Sequence, residues 1–401
     1  MRAIALLVAA LLWVAGAVAE APPLNRRQYA EDFDVLWKSI DEGYAYFERG
    51  RPAWRRARDR WRPRATHASS RAAFVAALEG ALEELSDDHV SLSERTPESA
   101  RRVPADTDVW ARWRDGVAVV EAVRIYGNAD AAGLRPGHVI TKISGVPVER
   151  AVRAGPGPAR DRALRQALAG PRTGTLRLEV REPTGIRSIE IERDQAAAAN
   201  GPPLLGRRIG VERDLGYIRI KGGLGDPRLV AQFDAALSSI KDTRALILDL
   251  REVAGSGTAE ALRAILSRFV SSEVPWQQRE RRGQPRAVDT VAPREWTYRA
   301  PLVVLVDRWT AGDGEALAAG LHAAANARLV GSPMAGLRGI VREVRLPQSA
   351  IALRFPAERA LLPDGTPRES IRPGVAVDLA APQGGPGDPI LYQALKLLEK
   401  K

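Results

Sequence analysis

The chain has 401 residues and contains no cysteine. Without cysteine it cannot form disulfides, thiolate zinc sites, iron–sulfur clusters or a cysteine nucleophile. Histidine is scarce, which leaves little for a metal site, and we expect neither a metal nor another cofactor. The histidines are His67, His89, His138 and His322.

Lysine is also rare. It occurs only at positions 38, 142, 221, 241, 396, 400 and 401, so none lies between residues 242 and 395. The net charge of +11 therefore comes almost entirely from arginine. The densest basic run, residues 54–64, raises a nucleic-acid hypothesis, but no zinc-finger, RNP or helix–turn–helix signature accompanies it. We therefore expect a solvated helix face and no nucleic-acid partner.

The N-terminus predicts export. Arg2 precedes an apolar stretch at residues 3–18, and Ala17-Val18-Ala19 supplies the small residues of a signal-peptidase site. The apolar run is shorter than the ~20 residues of a bilayer span and has no basic flank after it. We expect cleavage after Ala19, a periplasmic or secreted protein, and no stable membrane span in the mature chain.

Three patterns follow the predicted signal peptide (1–19). Residues 20–103 are helical in pattern, because apolar side chains from Tyr29 to Tyr44, and again from Phe74 to Leu85, recur every three or four positions. Residues 104–195 contain short strands such as Val117–Val123 and the alternating Leu176–Val180. Residues 196–401 alternate strands with helices. The length is that of two or three domains.

The last region predicts a parallel or mixed sheet. Ala245–Leu250 and Leu302–Val306 are continuous apolar runs, and helical patterns cover residues 259–270 and 311–325. Active sites in such sheets lie where loops leave the carboxyl ends of strands. We therefore expect the functional site at the loops 251–258 and 307–315. The predicted fold class is α/β, within a multidomain α+β arrangement.

The middle region resembles a PDZ domain at residues 131–140 and 143–148, although His138 stands where such domains usually carry aspartate. The resemblance implies peptide binding by strand addition at a sheet edge. By resemblance, its peptide-binding positions are Gly133, Leu134, Val139 and Ile140.

Several separated motifs follow one another along the chain: Asp249-Leu250-Arg251, Gly255-Ser256-Gly257, and residues 307–315, 329–336, 363–369 and 374–378. Together with the helical and PDZ-like regions before them, they resemble the tail-specific, or carboxy-terminal processing, serine peptidases over nearly the whole mature chain. The resemblance implies an α/β peptidase core and polypeptide substrates or C-terminal tails as partners.

The nucleophile of that family is missing. The family pattern is Thr-Ala-Ser-Ala-Gly-Glu, whereas residues 310–315 read Thr-Ala-Gly-Asp-Gly-Glu, which places Gly312 at the serine position. Glycine cannot form an acyl-enzyme. The lysine that serves as base in one branch is absent, since Leu337 and Arg338 occupy its place and arginine stays protonated. A serine–lysine dyad is therefore excluded.

A second, tricorn-like branch uses histidine as base with a supporting glutamate. The resemblance assigns these roles to His89 and Glu369, and the oxyanion-hole positions to Gly257 and Asp313. A carboxylate at Asp313 is expected to fold back onto the backbone donors and to repel an oxyanion.

Three functions remain open from the sequence. The first is a peptidase-fold protein that binds polypeptide tails without efficient cleavage. The second is a working serine-type peptidase whose nucleophile has moved to Ser256, Thr310 or Asp313. The third is a binding module for lipophilic molecules, because retinoid-binding repeats of the eye resemble the same core without being proteases.

Overall fold

A six-stranded sheet forms the centre of the C-terminal region. The computed structural model describes residues 24–47, 51–152, 157–193, 202–255, 257–381 and 387–399. The predicted signal peptide and Ser256 lie outside the described residues. The helices within those ranges are α1 (Arg26–Gly43), α2 (Arg51–Thr66), α3 (Arg71–Glu83), α4 (Asn128–Ala131), α5 (Val148–Ala151), α6 (Pro158–Ala169), α7 (Leu229–Ser239), α8 (Ala259–Leu266), α9 (Asp313–Ala325) and α10 (Pro389–Glu399).

The strands build three sheets, and the fold is α/β as predicted. They are β1 (Ser91–Leu92), β2 (Val109–Arg114), β3 (Val117–Val123), β4 (Val139–Ile143), β5 (Val146–Pro147), β6 (Thr175–Glu182), β7 (Gly185–Glu192), β8 (Leu204–Ile209), β9 (Leu215–Gly222), β10 (Ala245–Val253), β11 (Val274–Glu280), β12 (Ala287–Val291), β13 (Leu302–Val306), β14 (Arg328–Gly331), β15 (Ile340–Arg345), β16 (Ala352–Leu361) and β17 (Val375–Ala376).

The central sheet has the order β17-β14-β13-β10-β9-β8. Every neighbouring pair is parallel except β8 and β9. All five residues of β13 are buried, as are eight of the nine in β10, because helices cover both faces of the sheet. The parallel strands therefore end at one edge, and the loops after β10, β13 and β14 meet there.

Residues 109–192 form an antiparallel β-rich module with the order β2-β3-β4-β6-β7 and with β5 paired to β4. Alternate side chains of β3 are buried, as the period-two pattern of the sequence predicts. The helix α6 lies against β2, which is an edge strand of this sheet. The module has its own apolar core, which includes Leu134, Ile140 and Leu164.

The N-terminal helices share a core with the third sheet, of order β1-β16-β11-β12 with β15 beside β16. The predicted aromatic stripe is buried there, since Tyr29, Phe33 and Tyr44 pack with Phe355 of β16. The helix α1 and the strand β16 are more than 300 residues apart in sequence, and they pack together in this core. Strand β1 follows His89 closely and pairs with β16, which fixes the position of that histidine.

The arginine-rich run forms α2, and three of its six guanidinium groups pair with acidic side chains of the chain. Arg58 and Arg62 pair with Asp34, and Arg60 pairs with Glu84. This agrees with the predicted solvated helix face. Among the described residues, no helix combines the length and hydropathy that a membrane crossing needs.

Candidate functional site

Gly312 lies at the turn between β13 and α9, at the carboxyl edge of the central sheet. Its backbone has φ +57° and ψ −110°, a conformation that L side chains rarely adopt. A sharp strand–turn–helix of this kind holds an exposed nucleophile in other hydrolases. A Cβ placed on Gly312 would stand 3.7 Å from Nε2 of His89 and closer to no other neighbouring group. The structure thus brings residues 89 and 312 together across 223 positions of sequence.

The imidazole of His89 is held in one tautomer. Its Nδ1 lies 2.6 Å from the carbonyl oxygen of Arg338, which can only accept, so Nδ1 carries the proton and Nε2 has the free lone pair. The His89 backbone N–H donates to Asp87, and that carboxylate also accepts the Tyr44 hydroxyl at 2.6 Å. Burial lowers the pKa of His89. The free Nε2 lone pair of the ring therefore faces position 312.

Asp313 lies at one of the two positions that the sequence resemblance assigns to the oxyanion hole. Its Oδ2 accepts the backbone N–H of Gly257 at 2.6 Å. Gly257 also needs to be glycine, because a Cβ there would lie 2.5 Å from the Cβ of Leu224. The donor that would polarise a scissile carbonyl is thus engaged by a negative charge. That charge also opposes the effect of burial on the His89 pKa.

Glu315 is the site residue that the sequence analysis missed. It is fully buried, and its carboxylate accepts three backbone N–H groups: Gly312 at 3.0 Å, Gly336 at 2.8 Å and Leu337 at 3.1 Å. Burial raises its pKa to about 7. It ties the turn at Gly312 to the segment whose Arg338 carbonyl holds His89. One sequence signal could have identified it: Glu315 lies three residues after Gly312, the N-cap of α9, as the glutamate of a capping box does.

Two family models match the sequence. That of peptidase family S41 covers residues 214–380, which include five of the six strands of the central sheet, and that of the tricorn protease C1 domain covers residues 25–82. The fold agrees with both matches. Residues 214–380 of this chain therefore belong to peptidase family S41.

Solved structures show the same fold. The photosystem II D1 C-terminal processing protease is 20% identical, with a TM-score of 0.56 over 87% of this chain and 93% of its own. Mature CPAF is 15% identical, with a TM-score of 0.59 over 88% and 92%. A putative peptidase from Parabacteroides merdae is 16% identical, with a TM-score of 0.54 over 94% and 97%. At these identities the matches establish the fold of this S41 chain.

Glu369 does not accept the Nδ1 proton of His89. It lies on a short 3-10 turn, Arg368–Ser370, and that proton goes to the carbonyl oxygen of Arg338. Burial and the neighbouring Glu369 carboxylate raise the pKa of the Tyr46 hydroxyl. Direct support of the His89 ring by Glu369 is therefore corrected, and any other supporting role of Glu369 stays a prediction.

Thr310 is not available as a relocated nucleophile of the S41 core. It is fully buried; its hydroxyl donates to the Leu250 carbonyl and accepts the Asp307 N–H, both at 3.1 Å. The Asp313 carboxylate is engaged by Gly257, and Ser256 lies outside the described residues. Within the described ranges, no three histidine or carboxylate side chains are grouped to hold a metal ion.

Three of the four predicted peptide-binding residues do not line a peptide groove. Leu134 and Ile140 are buried in the module's core, and β4, which carries Val139 and Ile140, pairs with β3 on one side and β6 on the other. A strand that is bonded on both sides cannot accept a peptide, so the prediction was wrong for these three residues. For Gly133, which is in a turn at φ +78°, it stays a prediction.

The β2 edge, by contrast, faces α6. There the Trp113 N–H donates to Asp161 at 2.7 Å, and Arg160 stacks on the Trp113 ring at 3.6 Å. Strand addition at this edge would have to displace Asp161.

Proposed function

We propose that this S41 chain is an exported protein that binds polypeptide tails and has little or no proteolytic activity. The observation that carries the proposal is the pairing of His89 Nε2 with a position, Gly312, that has no side chain. The base and its orientation are retained, but the attacking oxygen is not. Losing the nucleophile of such a catalytic unit costs a factor on the order of a million in rate.

The contact between Asp313 and Gly257 supports the loss of activity independently. A preformed N–H donor aimed at the developing oxyanion is worth roughly a hundredfold to a thousandfold in rate. Here that N–H donates to a carboxylate at 2.6 Å, which would also repel a negative charge. Two separate parts of the catalytic machinery are therefore altered at adjacent positions of the sequence.

Membership of S41 supports a polypeptide as the ligand. A D1 C-terminal processing protease shares the fold, and its name indicates action on a C-terminus, which supports tails in particular. We propose that the tail binds beside His89 and Gly312, because Nε2 of His89 faces the open position 312 there. The signal-peptide pattern at residues 1–19 supports export to the periplasm or medium.

Restoring the missing groups tests the proposal. Position 312 has room for a side chain, although its positive φ makes a serine there strained by about 1–2 kcal/mol. We expect no cleavage of unfolded protein or tail peptides by wild type, weak cleavage by Gly312→Ser, and clear cleavage by Gly312→Ser/Asp313→Ala. Adding His89→Ala to the double variant should return cleavage to background.

Two results would contradict the proposal. Robust cleavage by the wild-type chain, with contaminating proteases controlled by serine-directed labelling, would show that another nucleophile acts. A double variant that folds but does not cleave these substrates would show that His89 is not a preserved base. The core would then be a binding scaffold of another kind. Binding of labelled tail peptides to the wild type, measured by fluorescence anisotropy, tests the ligand class separately.

A further inference from the structure

A cavity of about 350 Å³ lies between the β-rich module and the peptidase core. Arg112 and Arg114 of β2 line one side, Arg308 lies on the loop after β13, and Arg372 lies near the C-terminal end of the core. Ser332 contributes a hydroxyl-bearing side chain after β14. Neither His89 nor Gly312 lines this cavity, so it is distinct from the site described above.

Two of the four guanidinium groups share one carboxylate. Arg308 donates to Glu121 at 2.7 Å and to the Met334 carbonyl at 2.9 Å, and Arg112 Nε lies 3.6 Å from the other oxygen of Glu121. Glu121 thus serves two cations. Asp378 also lines the cavity and accepts the backbone N–H of Ala380.

The other two guanidinium groups have no acidic partner. Arg372 donates only to the backbone carbonyls of Ile371 and Glu369, and no carboxylate lies within ion-pair distance of Arg114 or Arg372 in the described part of the chain. Both side chains are exposed at the cavity rim. Four cations against two carboxylates leave the lining with an excess of two positive charges.

Unmatched polar atoms lie at the same place. Ser332 is only 6% exposed, and its hydroxyl has no hydrogen-bond partner among the described residues. The Nε of Arg308 is likewise buried and unpartnered. Buried polar groups normally have partners, so atoms of this kind at a cavity wall indicate a place for a polar ligand.

We propose that this cavity binds a dianion of the phosphate class. A charge of −2 balances the two unpaired guanidinium groups, whose planar donor forks match phosphate oxygens. Ser332 supplies a further hydroxyl at the inner wall. Glu121 and Asp378 disfavour ligands of higher charge. The volume holds a phosphate together with part of the group that carries it, so a free phosphate or a phosphorylated side chain on a bound polypeptide fits.

A ligand in this cavity would contact the two loops that also carry the site at His89 and Gly312. Arg308 precedes Gly312 by four residues on one loop, and Ser332 precedes Gly336 by four on the other. A bound dianion would therefore join the module to both loops that carry the site. This inference does not depend on whether the chain cleaves peptides.

The test is calorimetric titration of the full chain with inorganic phosphate, with a phosphoserine peptide and with its unphosphorylated form. We expect phosphate and the phosphopeptide to bind, and Arg114→Gln and Arg372→Gln to weaken each about tenfold. The exposed Arg177, paired with Glu190 on the far β6–β7 hairpin, is the matched control, and Arg177→Gln should change nothing. Phosphate should also raise the melting temperature of wild type but not of the double Arg114→Gln/Arg372→Gln variant.

The titrations with phosphate and with the phosphopeptide distinguish the possible sources of the dianion. A phosphopeptide that binds much more tightly than free phosphate would identify the polypeptide as the source of the dianion. No binding of either at millimolar concentration, or binding unchanged by both rim variants, would overturn the proposal. Equal affinity for malonate would show that the cavity selects charge alone and would overturn the phosphate assignment.

Discussion

The carboxylate of Glu315 accepts the backbone N–H of Gly312 at 3.0 Å, from within a fully buried environment. The same carboxylate accepts the N–H groups of Gly336 and Leu337. One acidic side chain therefore sets the distance between the turn at position 312 and the segment that holds His89. The geometry of the site depends on a group that touches neither the expected substrate nor the base.

Glu315 makes stability depend on pH. Its folded pKa, about 7, exceeds its ordinary value of 4.5, so its contribution is full below pH 4.5 and is lost as the pH rises through 7. The loss is on the order of 3 kcal/mol. We expect the stability of wild type relative to Glu315→Gln to fall between pH 5 and pH 8 by that order. Urea unfolding at four pH values measures it.

The glutamine variant has its own cost, which the pH series separates. Glutamine leaves one of the three N–H groups without an acceptor, which lowers stability by about 1–3 kcal/mol at every pH. The change of the unfolding free energy with pH, and not this constant difference, reports the ionisation of the buried Glu315 carboxyl group. Glu149→Gln, on the exposed surface of α5, should keep the wild-type slope. Equal slopes for wild type and Glu315→Gln would show that Glu315 ionises normally.

Asp161 closes the β2 edge of the module. Its carboxylate accepts the Trp113 N–H at 2.7 Å, and an added peptide strand would need that donor. We expect Asp161→Ala to bind an apolar C-terminal peptide about tenfold more tightly than wild type, since a charge-assisted hydrogen bond no longer has to be displaced. Fluorescence anisotropy with the full chain measures the affinity.

Glu149→Ala is the matched control for this gain, because it removes a carboxylate from the same module without touching β2. It should bind as wild type does. A folded Asp161→Ala chain with no gain in affinity would show that the β2 edge does not accept a peptide as a second site, even when Asp161 is removed.

Export predicts a shortened chain. Cleavage after Ala19 would leave Glu20 as the first residue of the mature protein. We expect N-terminal mass spectrometry on material from the native host to find a start at or near Glu20 in the periplasmic or secreted fraction. An intact Met1 in the cytosolic fraction would contradict the proposed localisation.

The sequence predicted the elements that one local pattern defines. The runs at Ala245–Leu250 and Leu302–Val306 became central parallel strands, and the loops after them carry Gly257 and Gly312 at one sheet edge. These succeeded because burial on both faces leaves an unmistakable apolar run. Gly312 was singled out from the sequence in the same way, because the motif to which it belongs by resemblance is contiguous.

What the sequence could not predict depends on contacts between distant segments. The acceptor for His89 is a main-chain carbonyl at Arg338, and any residue can supply a carbonyl, so no side-chain pattern marks it. Glu369 looked suitable because of its motif, but the chain brings it beside Tyr46 instead. The predicted peptide-binding residues of β4 failed similarly, because pairing of that strand on both sides is a property of the sheet.

The environment of His89 predicts the pH dependence of a restored enzyme. Burial lowers its pKa below the ordinary 6.5, while Asp313 opposes that shift. In Gly312→Ser/Asp313→Ala the opposing charge is absent, so the pKa should be lower still. A histidine base acts when neutral, and kcat/KM should therefore rise with pH to a plateau whose midpoint lies below 6.5. The single variant Gly312→Ser, which keeps Asp313, should show a higher midpoint. A shared midpoint at or above 6.5 would mean that His89 does not act as the base.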